Sequence, residues 1–205
     1  MAAAVTDGRV QRGNETRRAV LGRAVAIASV EGLGSLSIGR LATDLGLSKS
    51  GVFAAFGSKE ELQLATVRAA RRIFYDTVIV PVEHAAPGLP RLRLLCASWL
   101  AYTQSGTFPG GCFFQSVSAE FNTRPGPIRD ALAIAAQDWE GLLVDLLRTA
   151  GANGELVPDT DPEQVAFVLI GLMETANAHA LLLGDPTRFT RAATAIDRTL
   201  AAVTV

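Results

Sequence analysis

The chain has little of what most enzyme active sites and metal centres use. Among its 205 residues are two histidines, His84 and His179, and two cysteines, Cys96 and Cys112. The cysteines lack the paired spacing of a metal site, and no carboxylate pair or Ser/His/Asp set is evident. We therefore expect neither an enzyme nor a protein that holds a metal or cofactor. A Cys112–His179 nucleophile stays open, supported only by the residue types.

Two further features are missing: an apolar leader and a long unbroken apolar run. The first 15 residues, MAAAVTDGRVQRGNE, contain no apolar stretch of signal-peptide length. The most apolar run, residues 165–184, contains Glu174, Asn177 and His179, which a membrane span would not carry at mid-depth. We expect a cytoplasmic protein with reduced thiols and no membrane partner.

What the chain does have is a composition typical of helices. Apolar residues make up 49% of it and aromatic residues 6%, with Ala, Leu and Val prominent. Ala and Leu favour helix, and no stretch alternates polar and apolar residues as a half-buried strand does. The sequence predicts an all-α protein with about nine helices.

Charge is unevenly divided, although the net charge is −1. Residues 1–72 contain 11 Lys and Arg against 6 Asp and Glu, whereas residues 73–205 contain 8 against 14. A basic amino-terminal third followed by an acidic remainder is typical of a polyanion-binding unit joined to a different kind of domain. The alternative is chance clustering on a solvated surface.

Two short helices are predicted after a first helix over residues 15–31. Ser37 is the N-cap of the second helix and Gly46 ends it, while Ser48 is the N-cap of the third helix and Gly57 ends it. Helices this short are marginal alone, so they are ordered only by packing on each other and on their neighbours. Short helix, glycine turn and short helix form a helix-turn-helix, whose second helix enters the major groove of DNA.

The remainder is predicted as six longer helices. The fourth begins after Ser58 with a capping box that uses Glu61, and it ends near Val80 because Pro81 follows. The other five cover residues 89–105, 112–121, 128–150, 162–183 and 186–203.

Residues 37–62, SIGRLATDLGLSKSGVFAAFGSKEEL, resemble the DNA-binding head of the TetR family of bacterial transcriptional repressors. The shared pattern is hydrophobic-x-x-hydrophobic-Ala in the second helix, then GLS, then FGSKE at the start of the fourth helix. The resemblance extends over about residues 14–72. It implies an N-terminal three-helix helix-turn-helix head and a C-terminal helical ligand-binding and dimerisation domain.

The predicted domains are a disordered tail over residues 1–13, a helix-turn-helix DNA-binding domain over 14–60 and a ligand-binding and dimerisation domain over 61–205. The resemblance implies a ligand-responsive repressor that binds a palindromic double-stranded DNA operator as a homodimer. A small-molecule effector would release it. The alternative is a non-DNA-binding helical protein for a small molecule or a partner, with a degenerate head.

The DNA-binding candidates surround the third helix, which the resemblance makes the recognition helix. Family members often carry Tyr at the position of Phe53 and His at that of Ala55, so this head lacks two polar groups that commonly touch the DNA backbone. Ser37 and Lys59 would hold phosphates, together with backbone N–H groups at helix starts. The candidates are Ser37, Thr43, Ser48, Lys49, Ser50, Gly51, Phe53, Ala54 and Lys59.

A second set of candidates would line an effector pocket. Aromatic side chains at inward helical positions supply apolar walls with a polar tip, and without a charge cluster they indicate a hydrophobic or aromatic effector. The same spacing fits an ordinary core, and His179 also fits a subunit interface. The candidates are Trp99, Tyr102, Phe113, Phe114, Phe121, Trp139, Met173, Asn177 and His179. Cys112, after two glycines at a predicted helix start, fits either a redox switch or a small buried residue.

The dimer interface is predicted on the last two helices. The helix over residues 162–183 is apolar nearly all round, which one protomer does not easily bury. Two copies of both helices would form a four-helix bundle about a two-fold axis. The alternative is a helix buried on all sides in a monomer. The candidates are Leu169, Leu172, Ala176, Ala180, Leu183, Phe189, Ala193, Ile196 and Leu200.

Overall fold

A computed structural model describes the backbone of residues 2–205 and the side chains from Gln11 onward. Over these residues the chain forms nine α-helices and no β-strand, as predicted. The first four helices are α1 (Ala2–Glu31), α2 (Ile38–Leu45), α3 (Lys49–Phe56) and α4 (Lys59–Phe74). The other five are α5 (Leu89–Gln104), α6 (Phe113–Phe121), α7 (Pro127–Ala152), α8 (Pro162–Leu183) and α9 (Thr187–Val203).

The first helix is longer than predicted. It begins at Ala2 rather than at residue 15, so the backbone of residues 2–13 is helical where a disordered tail is expected. The stretch contains no proline and starts with three alanines, and a helix that is already nucleated gains one hydrogen bond for each residue added. Met1 lies outside the described residues.

Serine caps fix the starts of the three helices that follow. The Oγ atoms of Ser37, Ser48 and Ser58 accept from the backbone N–H groups of the residues three positions later, at 3.1, 3.0 and 3.1 Å. All three caps are as predicted. The capping box after Ser58 is incomplete among the described contacts, because the Glu61 carboxylate lies 4.0 Å from Arg68 instead of reaching back to Ser58.

A small core holds the two short helices in place. Leu41 of α2 and Val52 of α3 are fully buried in the same apolar cluster as Val20 and Ala24 of α1, and Leu33, between two glycines, is also fully buried. Two ion pairs add to this packing on the outside, since Arg23 lies 2.7 Å from Asp44 and Arg40 lies 2.6 Å from Glu31.

The end of α4 departs from the predicted simple stop near Val80. A π-helical turn covers Tyr75–Ile79, and a 3₁₀ turn covers Val80–Val82. Pro81 has no N–H group to donate to the carbonyl of Thr77, so the regular α-helical bonding cannot continue. The hydroxyl of Ser98 on α5 lies 3.4 Å from the carbonyl oxygen of Thr77 and donates to that of Val78 at 2.9 Å. Single π turns of this kind are frequent at functional sites.

The second half of the chain is a bundle in which α8 packs on α5, α7 and α9. By length and composition alone α8 could span a membrane, with a mean hydropathy of 1.6 over its most apolar window. One face of it is nevertheless part of the protein core, where Leu169 and Met173 are fully buried. The opposite face is exposed, so the alternative of a helix buried on all sides is wrong.

Candidate DNA-binding surface and effector cavity

The short helix α3 presents one face to the core and one to solvent. Val52 and Phe56 are buried, whereas Lys49, Phe53 and Ala54 are exposed, Phe53 to 56%. All nine predicted DNA-binding residues are exposed: Ser37, Thr43, Ser48, Lys49, Ser50, Gly51, Phe53, Ala54 and Lys59.

Arg17 on α1 holds the C-terminal end of α3, a role that the sequence does not reveal. Its guanidinium carbon lies 4.6 Å from the centroid of the Phe56 ring, and its Nη1 donates to the carbonyl oxygen of Ala55 at 2.5 Å. A cation at a helix C-terminus is favourable because the last carbonyls there are unsatisfied. Arg17 therefore positions α3.

Most cations of the basic amino-terminal third are engaged within the protein. Besides the two α1–α2 ion pairs and Arg17, Lys59 Nζ donates to the carbonyl oxygen of Gly34 at 2.6 Å. Arg12, Arg18 and Lys49 form no ion pair among the described side chains. The cations that remain for a polyanion lie on α1 and on α3, and Lys59 keeps two further ammonium hydrogens.

A cavity of about 300 Å³ lies among α4, α5, α6, α7 and α8. Its wall is mostly aromatic and aliphatic, and it includes the π turn that follows α4. The lining residues are Arg71, Phe74, Tyr75, Ile79, Trp99, Cys112, Phe114, Gln115, Ser118, Leu132, Ala135, Ala136, Asp138, Trp139, Leu142, Ile170, Met173 and Glu174.

Four of the nine predicted effector-binding residues line this cavity: Trp99, Phe114, Trp139 and Met173. The other five lie elsewhere. Phe121 lines a smaller adjoining hollow of about 260 Å³, Tyr102, Phe113 and Asn177 are buried in the protein interior, and His179 is exposed. Helical spacing shows that a side chain points inward, but it does not show whether that side chain meets empty space or another side chain.

Phe74 on α4 lies at the centre of the aromatic wall and is not among the candidates that the sequence predicts. Its ring meets those of Tyr102, Phe114 and Trp139 edge-on, with centroids 5.5, 5.8 and 5.3 Å away. Edge-to-face contacts of this kind stabilise beyond their buried area. Two adjacent aromatic residues in the stretch IFYDTVIV, at the end of the helix that follows the head, are the feature of the sequence that indicates Phe74.

The cavity lining carries three charged side chains. Arg71 forms an ion pair with Asp138 across the gap between α4 and α7. Glu174 forms no ion pair among the described residues, and burial raises the pKa of its carboxyl. The Tyr75 hydroxyl donates to Glu83 Oε1 at 2.5 Å, which raises the pKa of Tyr75.

An amide network joins α6 to α8 beside the cavity. The backbone N–H of Cys112 donates to Asn177 Oδ1 at 3.3 Å, and Asn177 Nδ2 donates to Gln115 Oε1. Gln115 Nε2 in turn donates to the carbonyl oxygen of Glu174 at 2.7 Å. Asn177 is thus a buried structural residue with satisfied polar groups.

A family comparison decides the identity of this fold. The family model described as "Tetracyclin repressor-like, C-terminal domain" matches residues 88–196, more than half of the chain. The chain belongs to the TetR family. A comparison with curated proteins gives no match.

Solved structures share this fold. A TetR regulator from Chloroflexus aurantiacus has a TM-score of 0.88 at 24% identity, over 95% of this chain and 99% of that one. A protein from Saccharomonospora viridis in complex with choline has a TM-score of 0.80 at 21% identity, over 94% and 99%. AibR, in complex with isovaleryl coenzyme A and operator DNA, has a TM-score of 0.66 at 21% identity, over 80% and 86%.

In this TetR-family protein α6 contacts the head directly. The Glu120 carboxylate accepts from the backbone N–H of Gly34, at 3.0 Å to Oε1. The loop before α6 approaches the end of α1 so closely that a Cβ on Gly110 would lie 1.9 Å from the carbonyl oxygen of Ser29. Since Phe114, Gln115 and Ser118 of the same helix line the cavity, one element touches both the cavity and the head.

The dimer candidates of this TetR-family protein divide into buried and exposed residues. Two of the nine, Leu183 and Ala193, are exposed, and Leu172 is half-buried. The other six are buried within the protomer: Leu169, Ala176, Ala180, Phe189, Ile196 and Leu200. The exposed side of α8 is a different stripe, named here the α8 stripe: Phe167, Gly171, Thr175, Ala178 and Leu182. When a helix is apolar on all sides, its sequence does not show which face packs into the core of its own protomer.

Proposed function

We propose that this TetR-family regulator is a cytoplasmic, non-enzymatic repressor that binds a palindromic operator as a homodimer and releases it when a small molecule enters the cavity. The observation that carries the proposal is the double role of α6. Its residues Phe114, Gln115 and Ser118 line the cavity, and Glu120, on the same helix, bonds to the turn that precedes α2.

The proposed DNA contact uses the exposed face of α3. Lys49 supplies a charge that no ion pair among the described residues engages, and Ser50, Phe53 and Ala54 lie beside it. Lys49 is suited to a phosphate or a guanine edge, and the ring of Phe53 to the methyl group of thymine. The hydroxyl of Ser37 uses an oxygen lone pair as a helix cap, so its hydrogen remains available to a phosphate.

The proposed release needs only a difference in affinity between two conformations. Arg71 and Phe74 of α4 line the cavity, and α4 follows directly after the recognition helix. A ligand that repositions α4 or α6 therefore acts on the head at two places. The complexes of AibR with isovaleryl coenzyme A and of the S. viridis protein with choline support small-molecule binding in this fold, but they differ in ligand charge.

The proposed dimer uses the α8 stripe together with exposed Ala193 of α9. Phe167 and Leu182 are 69% and 80% exposed. The residues between them on the stripe, Gly171, Thr175 and Ala178, are small, so a second copy could approach closely. An apolar helix face with small residues at its centre suits a self-complementary two-fold contact. The dimer sets the distance between its two recognition helices.

The proposal is tested by a mobility-shift titration on the promoter DNA of the protein's own or a neighbouring gene, at several salt concentrations. We expect affinity to fall steeply with salt because bound cations are released from DNA. If Lys49 binds one phosphate, the slope of log K against log salt should be smaller by about 1 in Lys49→Ala than in the wild-type protein.

The matched control is Arg198→Ala, which removes one exposed positive charge from α9, far along the chain from the head. It should leave the slope unchanged. A salt slope near zero for the wild-type protein would contradict the proposal and favour the alternative of a small-molecule or partner-binding protein with a degenerate head.

A further inference from the structure

We propose that the effector is an organic cation with a hydrophobic or aromatic body, and that Glu174 is the residue that recognises its charge. The inference rests on the proposed function of the cavity as an effector site. It adds the sign of the ligand's charge and the side chain that selects it.

The charge of the lining is the first step. Three charged side chains line the cavity, and two of them, Arg71 and Asp138, neutralise each other in an ion pair. The third, Glu174, has no ion-pair partner among the described residues. In the smaller adjoining hollow, Arg129 lies 3.6 Å from Asp130. The cavity therefore carries one uncompensated negative charge, which a cation would balance.

The walls of the cavity favour a cation over an anion. Phe74, Tyr75, Trp99, Phe114 and Trp139 contribute aromatic rings to the lining. The face of an aromatic ring carries negative charge density and attracts cations, Trp most strongly, and repels anions. An organic cation gains apolar contact with these rings as well, which a hydrated inorganic cation does not.

Among the described side chains, the lining offers an anion no unpaired cation, and its remaining donors are neutral groups such as the Ser118 hydroxyl and the indole N–H groups of the two tryptophans. Both polar groups of the Gln115 amide are engaged, one with Asn177 and one with the carbonyl oxygen of Glu174. The Tyr75 hydroxyl donates to Glu83. An anionic ligand would thus have to break the ion pair of Arg71 or exchange its hydration for neutral donors alone, both of which are costly.

Glu174 occupies a position from which it can attract a ligand. Its side chain is partly exposed at the edge of the cavity, between the buried Met173 and the α8 stripe, so a ligand entering from solvent can reach it. Gln115 holds the backbone at Glu174 from α6. A cation bound at Glu174 therefore lies next to the helix that also contacts the head.

The test uses the fluorescence of Trp99 and Trp139. The chain has two tryptophans and both line the cavity, so quenching reports occupancy. The three probes are benzyltrimethylammonium, its uncharged carbon isostere neopentylbenzene, and the anion 3-phenylpropionate. We expect the cation to bind at least about tenfold more tightly than the other two, a difference of the size that one charge contact provides.

Two variants assign the selectivity. Glu174→Gln keeps the shape of the side chain and should weaken cation binding about tenfold, with neopentylbenzene unaffected. Glu140→Gln, which removes an exposed carboxylate from α7 outside the lining, should change neither affinity. Equal binding of cation and isostere, tighter binding of the anion, no quenching by millimolar cation, or an unchanged cation affinity in Glu174→Gln would each overturn the inference.

A mobility shift in the presence of each probe separates this inference from the proposed function. If the cation binds with the expected selectivity but operator affinity is unchanged, effector-driven release fails and the assigned ligand class stands. If neopentylbenzene releases the operator and the cation does not, the ligand class fails and the repressor function stands.

Discussion

Cys112 shows at the residue scale how surroundings set chemistry. It is the N-cap residue of α6, a position where a helix can stabilise a thiolate, but it is only 4% exposed. Burial raises the pKa of Cys112 to about 11 and that of Cys96 to about 12. A raised pKa keeps a thiol protonated and unreactive at neutral pH. Burial favours a packing role over the redox switch and over the Cys112–His179 nucleophile, since His179 is exposed.

Both thiols should be inert in the folded protein. With Ellman's reagent at pH 8, we expect no reaction of Cys96 or Cys112 until denaturant is added, when both thiols should react. The thiolate population should grow only as the pH approaches about 11 for Cys112. Rapid reaction of one equivalent in the native protein at pH 8 would contradict this account, and Cys112→Ser would show which residue is responsible.

At the element scale, the glycine pair before α6 joins the head to the C-terminal bundle. A Cβ on Gly110 would overlap the backbone of Ser29 at the end of α1, and one on Gly111, where φ is +74°, would lie 2.3 Å from Asn177 Oδ1. The N–H of Gly110 also donates to the Ser29 hydroxyl at 3.2 Å. The loop can approach both elements only because neither position has a side chain.

Substituting Gly110 should therefore measure how much stability depends on the close approach of the loop to Ser29. Gly110→Ala places a methyl group against a backbone carbonyl that cannot move cheaply, so we expect the free energy of unfolding to fall by ~1–3 kcal/mol. Urea denaturation at fixed protein concentration measures it. The matched control is Gly141→Ala in α7, where nothing lies within 4 Å of the added Cβ. It should stabilise by ~0.5–1 kcal/mol. Equal stability of Gly110→Ala and wild type would refute the close contact.

The sequence predicts where the helices lie and where they end if a capping residue or a glycine marks the end. It does not predict an end that lacks such a residue. Ser48 and the glycines after α2 and α3 mark the boundaries of their helices, because each satisfies a local hydrogen-bonding or backbone requirement. Asp161 does the same for α8, where its carboxylate accepts from the backbone N–H of Gln164. The sequence does not predict the π turn at Tyr75–Ile79, since Pro81 signals an interruption without showing that Ser98, on another helix, donates to a carbonyl oxygen within the turn.

For the whole molecule, the sequence predicts the fold class and the exposed face of α3 but not the cavity or the outer face of α8. Exposure on α3 follows from local spacing, because Val52 and Phe56 take the inward side. The cavity depends on Phe74 and Glu174, which come from distant parts of the chain. Leu169 is buried in the core of the protomer and Leu182 is exposed to solvent, although both are leucines on the same apolar helix.

The most direct test of the account is selection of duplexes bound by the full-length protein from a random-sequence library. Two copies of α3, held by a dimer on α8, should enrich an inverted repeat whose half-site centres lie about 10–10.5 base pairs, or a multiple of this, apart. Enrichment of no motif, or of a single unrepeated motif, would contradict the claim that a dimer presents two copies of α3 to DNA as recognition helices.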